Sequence, residues 1–219
     1  MADTSRTLPR TFWIGTILTF VLLGLAMMLA LPLIGQHEQP RLPVIGQVAD
    51  FTLTNQDGKI TTLADLTNHV WVADIIFTRC AGPCPRMTQQ MKSLQAALPA
   101  DSIVKLVTLT TDPDNDTPSI LKRYGEHYGA DFGRWTFLTG TKAEIASLAG
   151  DSLKLGSTPV KAEDRTDSAN LFIHTTVFVA VDKHAQMRAV FETGGDGVDW
   201  TNVVQPQLLR TLHRLEREP

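Results

Sequence analysis

The chain has 219 residues, of which 43% are hydrophobic, enough to bury one ordinary core with a small appendage. The formal net charge is −3 and the charged fraction is 20%, so the chain has neither the basic excess that favours nucleic-acid binding nor the acidic excess that favours disorder. Its two cysteines, Cys80 and Cys84, are too close in sequence to staple distant parts of a fold, which leaves them available for chemistry.

The N-terminal segment predicts a membrane anchor. Residues 12–35 carry no charge, and a helix of that length rises roughly 36 Å, enough to cross a hydrocarbon core of about 30 Å. Arg6 and Arg10 precede this run, and no lysine or arginine follows it before Arg41. The positive-inside rule therefore keeps residues 1–11 in the cytoplasm and sends the rest across the inner membrane to the periplasmic side. A cleaved signal peptide is the alternative, but its apolar core usually has about 7–15 residues.

A tether and one domain are predicted after this segment. Residues 36–47 contain proline and glycine and are typical of a tether that lifts a domain, residues 48–219, off the bilayer. The domain opens with two short strands at 50–54 and 59–62. The Asp-Gly pair between them, at 57–58, suits a hairpin turn.

Strands and helices then alternate. Residues 70–77 are almost continuously apolar, as expected for a strand covered on both faces in a partly parallel sheet. Hydrophobic spacing and capping residues predict helices at 87–98 and 118–128, and further apolar runs predict strands at 103–109 and 135–138.

The last third of the chain completes the pattern. A helix is predicted at 141–150, a long polar loop at 151–170, a hairpin from strands at 175–181 and 187–191, and a final helix to about Glu216. This order of elements predicts an α/β fold in which helices cover one central sheet.

Cys80 and Cys84 are the candidate functional residues. They lie between the buried strand and the helix after it, where ligand sites collect in open α/β sheets. A thiol at this place faces the positive end of the helix, and Arg79 adds a second positive charge. Both effects are expected to favour the thiolate, the form that attacks disulfides or binds a metal.

The cysteine spacing leaves two uses open. Three residues separate the cysteines, which gives a wider loop than the two-residue spacing usual in redox pairs. Two sulfur ligands on one loop can hold copper(I), which prefers thiolate and thioether donors, and an imidazole is the obvious third ligand. Disulfide formation would use the same two sulfurs, so the two activities compete.

Asp74 is a further candidate in this region. It lies six residues before Cys80 within the most apolar strand, where an ionised carboxylate needs a partner or a raised pKa. Alternate residues of an unbroken strand share a face, so Asp74 is expected on the side of the thiols. A proton relay to the thiol pair is one interpretation, and an acid hydrogen-bonded to its neighbours is the other.

Four stretches of the chain resemble the Sco/SenC family of thioredoxin-fold copper-binding proteins. They are residues 50–58 (DFTLTNQDG), 77–85 (FTRCAGPCP), 111–118 (TDPDNDTP) and 174–181 (HTTVFVAV). The first is common to many thioredoxin-like proteins, whereas the other three together are specific.

The resemblance implies a thioredoxin-like central sheet flanked by helices, and the N-terminal transmembrane helix predicted above also fits the family. It also implies that Cys80, Cys84 and His174 bind copper and that the copper is delivered to the cytochrome c oxidase subunit with the copper A site. Thioredoxin-like reductants and other copper chaperones are further expected partners.

The chain departs from the family pattern beside His174. Family members usually carry an acidic residue directly before this histidine, and here the position holds Ile173. A carboxylate there can orient or tune a metal-bound imidazole. Asn170, Asp167 and Asp164 in the preceding loop are candidates to replace it, and the sequence leaves this open.

Other residues with metal-binding side chains are interpreted as structural. Met87 and Met91 lie one helical turn apart on an amphipathic helix, which is typical of core residues. Asp112 and Asp116 lie near prolines and are predicted to shape a turn and prepare the start of a helix.

Overall fold

The computed structural model describes residues 10–34, 40–159, 172–174 and 176–219, with side chains described for 12–28, 40–156 and 176–219. The chain divides into two compact units, Met1–Arg41 and Leu42–Pro219.

The first unit contains helix α1 (Arg10–Ile34), which has no acidic residue in its first turn and no basic residue in its last. Large apolar side chains on this helix are exposed, among them Phe20 and Met28. Among the residues that the structure describes, none of the helices combines the length and the hydropathy of a membrane span. The predicted transmembrane helix is therefore not confirmed.

The second unit is a mixed α/β domain. Its strands are β1 (Gly46–Gln47), β2 (Thr52–Asn55), β3 (Ile60–Thr62), β4 (Trp71–Ile76), β5 (Lys105–Thr110), β6 (Trp135–Thr139), β7 (Ser157–Pro159), β8 (Phe172–His174), β9 (Val177–Val181) and β10 (Gln186–Glu192). Its helices are α2 (Cys84–Ala97), α3 (Pro118–Tyr128), α4 (Lys142–Ala146) and α5 (Gln205–Arg217). Short helical turns lie at Leu63–Leu66, Ser147–Ser152 and Trp200–Val204.

In the described part of the chain, eight strands form the main sheet in the order β1-β10-β9-β4-β5-β6-β2-β3. Strands β4, β5 and β6 are parallel neighbours, and β9 pairs antiparallel with the other side of β4. All six residues of β4 are buried, because strands flank it and helices cover it. Strands β7 and β8 pair in a separate small ribbon.

The two faces of the sheet carry two apolar cores. Val72 of β4 packs in the core that includes Met87 and Met91 of α2 and Leu121 of α3. Both methionines are fully buried, as predicted for core residues. The opposite face packs against α4 and the turn after it. Asp74 shares the strand parity of Val72, so it lies on the face covered by α2.

Most predicted elements are present, with shifted ends. Strands β2 and β3 form the predicted hairpin, whose turn is fixed by hydrogen bonds to the Asn55 side chain. Helix α2 begins at Cys84 rather than at residue 87. Part of the polar stretch 151–170 forms β7, and residues 160–171 lie outside the described residues.

Residues 42–47, which the sequence assigns to the tether, belong to the second unit. Here β1 pairs with the beginning of β10. Residues 35–39 of the predicted anchor and tether lie outside the described residues.

Candidate functional site

The two cysteines lie on the segment that connects β4 to α2. Cys80 is on the turn after β4, where its backbone N–H donates to the carbonyl of Phe77 at 3.2 Å. Cys84 is the first residue of α2, after Pro83. The exposed fraction is 9% for Cys80 and 0% for Cys84, and both pack with Ile76 and Phe77 in a small apolar cluster. The site is thus a buried dithiol at the carboxyl edge of the sheet.

The thiol of Cys84 is held in its protonated form. A hydrogen bond with the Cys80 side chain and burial raise the pKa of Cys84 above its ordinary value. A backbone hydrogen bond with Phe77 acts in the opposite direction, and the charge of Asp74 adds to the increase. The sequence predicts a favoured thiolate, and for Cys84 this prediction is wrong.

The guanidinium group of Arg79, which is expected to add positive charge beside the thiols, forms an ion pair. Its Nη2 atom lies 2.7 Å from Oδ2 of Asp112, a carboxylate that is almost fully buried. The positive charge expected to stabilise a thiolate is therefore paired with a negative one. The hydrogen bond with Cys80 is the largest cause of the raised pKa of the neighbouring thiol Cys84, and burial is the second.

Asp74 lies on the α2 face of the sheet, as the strand parity predicts, since its neighbour Thr108 bonds Trp135 of the same core. Its side chain is fully buried, and its Oδ1 accepts a hydrogen bond of 2.6 Å from the hydroxyl of Thr108. That hydroxyl in turn accepts a 2.9 Å hydrogen bond from the indole N–H of Trp135. The charge of Asp74 contributes to the raised pKa of Cys84, so the acid and the thiol are coupled electrostatically.

Asp112 and Asp116 shape the turn after β5, as predicted, and they also reach the cysteine turn. The carbonyl of Asp112 accepts backbone hydrogen bonds from Asn115 and Asp116 at 3.0 Å and 2.8 Å. The carboxylate of Asp116 accepts from the backbone N–H of Thr78 at 3.0 Å and from the hydroxyls of Thr78 and Thr110. Burial raises the pKa of Asp116, and the hydrogen bonds oppose this effect.

Tyr124 of α3 is a site residue that sequence reasoning missed. It packs against the apolar cluster of the two cysteines, and its hydroxyl lies 2.8 Å from that of Thr88. The Thr88 hydroxyl also lies 2.9 Å from the carbonyl of Cys84, to which it donates. Burial raises the pKa of Tyr124. The only signal in the sequence is its helical spacing from Leu121, which indicates a core position and not its proximity to a thiol.

The backbone of His174 ends strand β8, where it pairs with Ser157. Strand β9 follows directly and runs antiparallel to β4, with Val181 opposite Trp71 and Val179 opposite Ala73. The beginning of β9 therefore lies at the end of β4 from which the cysteine segment departs.

The side chains of His174 and Ile173 lie outside the described residues, as do Asn170, Asp167 and Asp164. Within the described part of the chain, no three His, Cys, Asp or Glu side chains are grouped so that they could hold a metal ion. The proposed three-ligand site is therefore neither confirmed nor excluded.

A dithiol between a parallel strand and a helix of a mixed α/β domain defines a thioredoxin-like thiol protein. The SCO1/SenC family model matches residues 43–206, and the chain belongs to this family. A SCO1 protein homologue of Bacillus subtilis (strain 168) is 38% identical over 146 residues, which cover 66% of this chain and 72% of the relative.

Solved structures agree with this assignment. BsSco, described as a member of the Sco family of cytochrome c oxidase assembly proteins with a disulfide switch, is 29% identical with a TM-score of 0.67, over 82% of this chain and 100% of that one. A SCO1/SenC family lipoprotein from Bacillus anthracis is 29% identical with a TM-score of 0.65, over 81% and 99%. Copper-bound ScoI of Bradyrhizobium japonicum, at 23% identity and a TM-score of 0.63 over 78% and 99%, shares the fold.

Proposed function

We propose that this chain binds copper through Cys80, Cys84 and His174 and delivers it to the cytochrome c oxidase subunit with the copper A site. The observation that carries the proposal is the pair of hydrogen-bonded cysteine side chains in a buried apolar cluster. Two sulfurs so close together suit one soft metal ion, and copper(I) prefers such donors. Copper is then the cargo of this site.

The topology supports His174 as the third ligand. Its backbone directly precedes the strand that begins at the carboxyl edge of β4, where the cysteine segment also begins. An imidazole entering from this edge would complete a three-ligand site with the two sulfurs. Because the side chain of Ile173 cannot form hydrogen bonds, we expect a carboxylate or amide of the preceding loop to orient the imidazole.

Related proteins support cytochrome c oxidase as the recipient of the copper. BsSco is described as a member of a family of cytochrome c oxidase assembly proteins, and ScoI of Bradyrhizobium japonicum has been solved with copper bound. Thioredoxin-like reductants and other copper chaperones would supply electrons and copper to the same dithiol.

The proposed location is the inner membrane, with the domain on the periplasmic side. Residues 12–35 carry no charge, and Arg6 and Arg10 lie on the side proposed as cytoplasmic. The exposed apolar side chains of α1 suit a lipid environment. Protease digestion of spheroplasts tests this orientation, because the domain should be cleaved in intact spheroplasts.

Copper loading tests the ligand set. The reduced full chain in detergent is titrated with copper(I) against a chromophoric chelator, and wild type is compared with His174→Ala and with His184→Ala, an exposed histidine far from the cysteines in sequence. We expect His174→Ala alone to weaken copper retention, by about tenfold or more, because even the loss of a residue that only orients a ligand costs about 10–100-fold in metal affinity. Equal retention in all three proteins would refute the three-ligand site.

A second candidate function is thiol–disulfide exchange with Asp74 as proton relay. The buried, hydrogen-bonded carboxylate of Asp74 acts electrostatically on Cys84, and this observation favours the role. In the reaction, Cys80 and Cys84 lose two protons and two electrons and form one S–S bond. The partner disulfide gains both and becomes a dithiol.

The exchange rate of Asp74→Asn tests this second function. We measure reduction of a model partner disulfide between about pH 6 and about pH 9, where a relay should change the pH profile and not only the rate. Asp65→Asn, which alters an exposed carboxylate, is the control. Equal pH–rate profiles for Asp74→Asn and wild type would show that Asp74 is not a proton relay.

A further inference from the structure

The two cysteines are held by different means. Cys84 is fixed as the first residue of α2, a helix whose inner face is buried through Met87, Met91 and Leu94. Cys80 lies on an irregular turn in which Ala81 and Gly82 are exposed. The position of Cys80 therefore depends on whatever holds the residues just before it.

Residues 78 and 79 are held by the loop after β5. Asp116 receives three hydrogen bonds, two from Thr78 and one from Thr110. Asp112 pairs with Arg79, and the backbone N–H of Thr111 donates to the carbonyl of Ile76 at 2.8 Å. We call these contacts of residues 110–116 with residues 76–79 the aspartate clamp.

Asp116 is the centre of the clamp. Its side chain is fully buried, and its backbone is fixed by a hydrogen bond to Asp112. Hydrogen bonds to a buried carboxylate are stronger than those between neutral groups, and each resists displacement of its donor. Because Thr78 donates through both its backbone and its side chain, Asp116 restrains the backbone two residues before Cys80.

We propose that Asp116 is a positioning residue that sets the balance between copper retention and disulfide formation at Cys80 and Cys84. This inference rests on the proposed use of the pair as copper ligands and as a redox dithiol. The clamp is closed in the structure, where the two cysteines are present as thiols.

Formation of a disulfide between Cys80 and Cys84 would strain the contacts of the aspartate clamp. The S–S bond is only about 2.05 Å long, far shorter than a hydrogen bond between two thiols. Because α2 fixes Cys84, the approach must come mainly from Cys80, and this movement pulls Thr78 against Asp116. The clamp thus favours the separated sulfurs, the arrangement that one metal ion can bridge.

The test is the dithiol–disulfide equilibrium of the full chain in glutathione buffers, at a temperature at which every variant is folded. We expect Asp116→Asn, which replaces one accepting oxygen by an N–H donor, to shift the equilibrium constant about tenfold toward the disulfide. Asp114→Asn is the matched control, because Asp114 lies in the same loop but is exposed and pairs with the exposed Lys142. It should shift the constant by less than about twofold, as expected of an exposed pair.

Variants of Thr78 test the same contact without altering the acid. Thr78→Val removes the hydroxyl donor but keeps the backbone donor, so a smaller shift in the same direction is expected. Thr78→Ser restores the hydroxyl and should behave as wild type. Copper(I) transfer from the reduced chain to a chelator should be faster in Asp116→Asn than in Asp114→Asn.

The outcomes separate this inference from the proposed function. If wild type binds copper through its cysteines but Asp116→Asn matches Asp114→Asn, or shifts toward the dithiol, the positioning role is wrong and the proposed function stands. If the equilibrium shifts as expected but wild type holds no copper, the positioning role stands and copper delivery is wrong.

Discussion

The Cys84 thiol lies where two general effects oppose each other. The first turn of a helix favours a thiolate, whereas burial favours the thiol. Cys84 has no exposed surface and is hydrogen-bonded to Cys80, and its pKa is raised. The thiol state therefore prevails at neutral pH, and the reacting metal or disulfide must displace a proton.

The raised pKa of Cys84 predicts a pH-dependent stability of the reduced chain. The unfolded thiol ionises near its ordinary value of 9.0, whereas the folded thiol still holds its proton there. The contribution is fully present below that pH, and the free energy of unfolding should fall above it by up to about 1.4 kcal/mol per pH unit. Urea unfolding at about pH 8 and about pH 10 measures the fall, which Cys84→Ser should largely lack. The same fall in both proteins would contradict the assignment.

A second prediction concerns the hydroxyl group of Tyr124. Tyr124→Phe removes the hydroxyl that bonds Thr88 but keeps the ring against the cysteine cluster. We expect a loss of about 1 kcal/mol in the free energy of unfolding, typical of one intramolecular hydrogen bond. Tyr128→Phe, on the same helix, serves as the control in urea unfolding. A loss no larger than that of Tyr128→Phe would show that the Tyr124 hydroxyl is not needed.

Individual site residues were predictable to different degrees. The cysteines and Asp74 could be found because each has a local signal, a short spacing or an acid in an apolar strand. The contact between Asp116 and Thr78 spans 38 positions and joins two loops, so no periodicity reveals it. The partner of Arg79 could not be predicted for the same reason, because only the fold brings Asp112 near it.

Helix α3 shows how an element can depend on the absence of a side chain. Gly125 is buried in the middle of this helix, where glycine is an unfavourable residue. A Cβ atom added there would lie 2.7 Å from the Phe132 ring and 2.9 Å from the Phe137 ring. Glycine therefore allows α3 to approach β6 closely.

The expected result of Gly125→Ala is a loss of stability, although alanine is the better helix former. We expect about 1–3 kcal/mol, because two aromatic rings must move. Gly150→Ala is the matched control, since a Cβ atom at Gly150 meets nothing within 4 Å. Thermal unfolding measures the melting temperatures of both variants. An increase in the melting temperature of Gly125→Ala would refute the close-packing argument.

Elements were easier to predict than their ends. The buried strand β4 and the hairpin of β2 and β3 follow from continuous apolar runs and from turn residues. The apolar spacing in the sequence begins at Met87, whereas helix α2 begins three residues earlier, at Cys84. Strand β1, with two residues, has no pattern long enough to detect.

At the scale of the whole domain, Arg188 joins segments that are far apart in the chain. This β10 side chain is 5% exposed and pairs with Asp182 at 2.6 Å and with Glu218 at 2.8 Å. It also donates to the carbonyls of Leu42 and Pro43. The first residues of the domain, the turn between β9 and β10 and the C-terminal end therefore meet at one guanidinium group.

Replacing this arginine should destabilise the domain strongly. Arg188→Met keeps much of the apolar stem but leaves the buried carboxylate of Asp182 without the guanidinium it pairs with. Glu218 keeps the longer contact with Arg214, at 3.9 Å. Breaking a buried ion pair by removing one partner costs about 3–5 kcal/mol, so a loss of this size is expected in urea unfolding of the full chain in detergent. Arg210→Met alters an exposed arginine of α5 and should change the free energy of unfolding by less than about 0.5 kcal/mol. Similar unfolding of both variants would mean that the ends of the domain are held by packing alone.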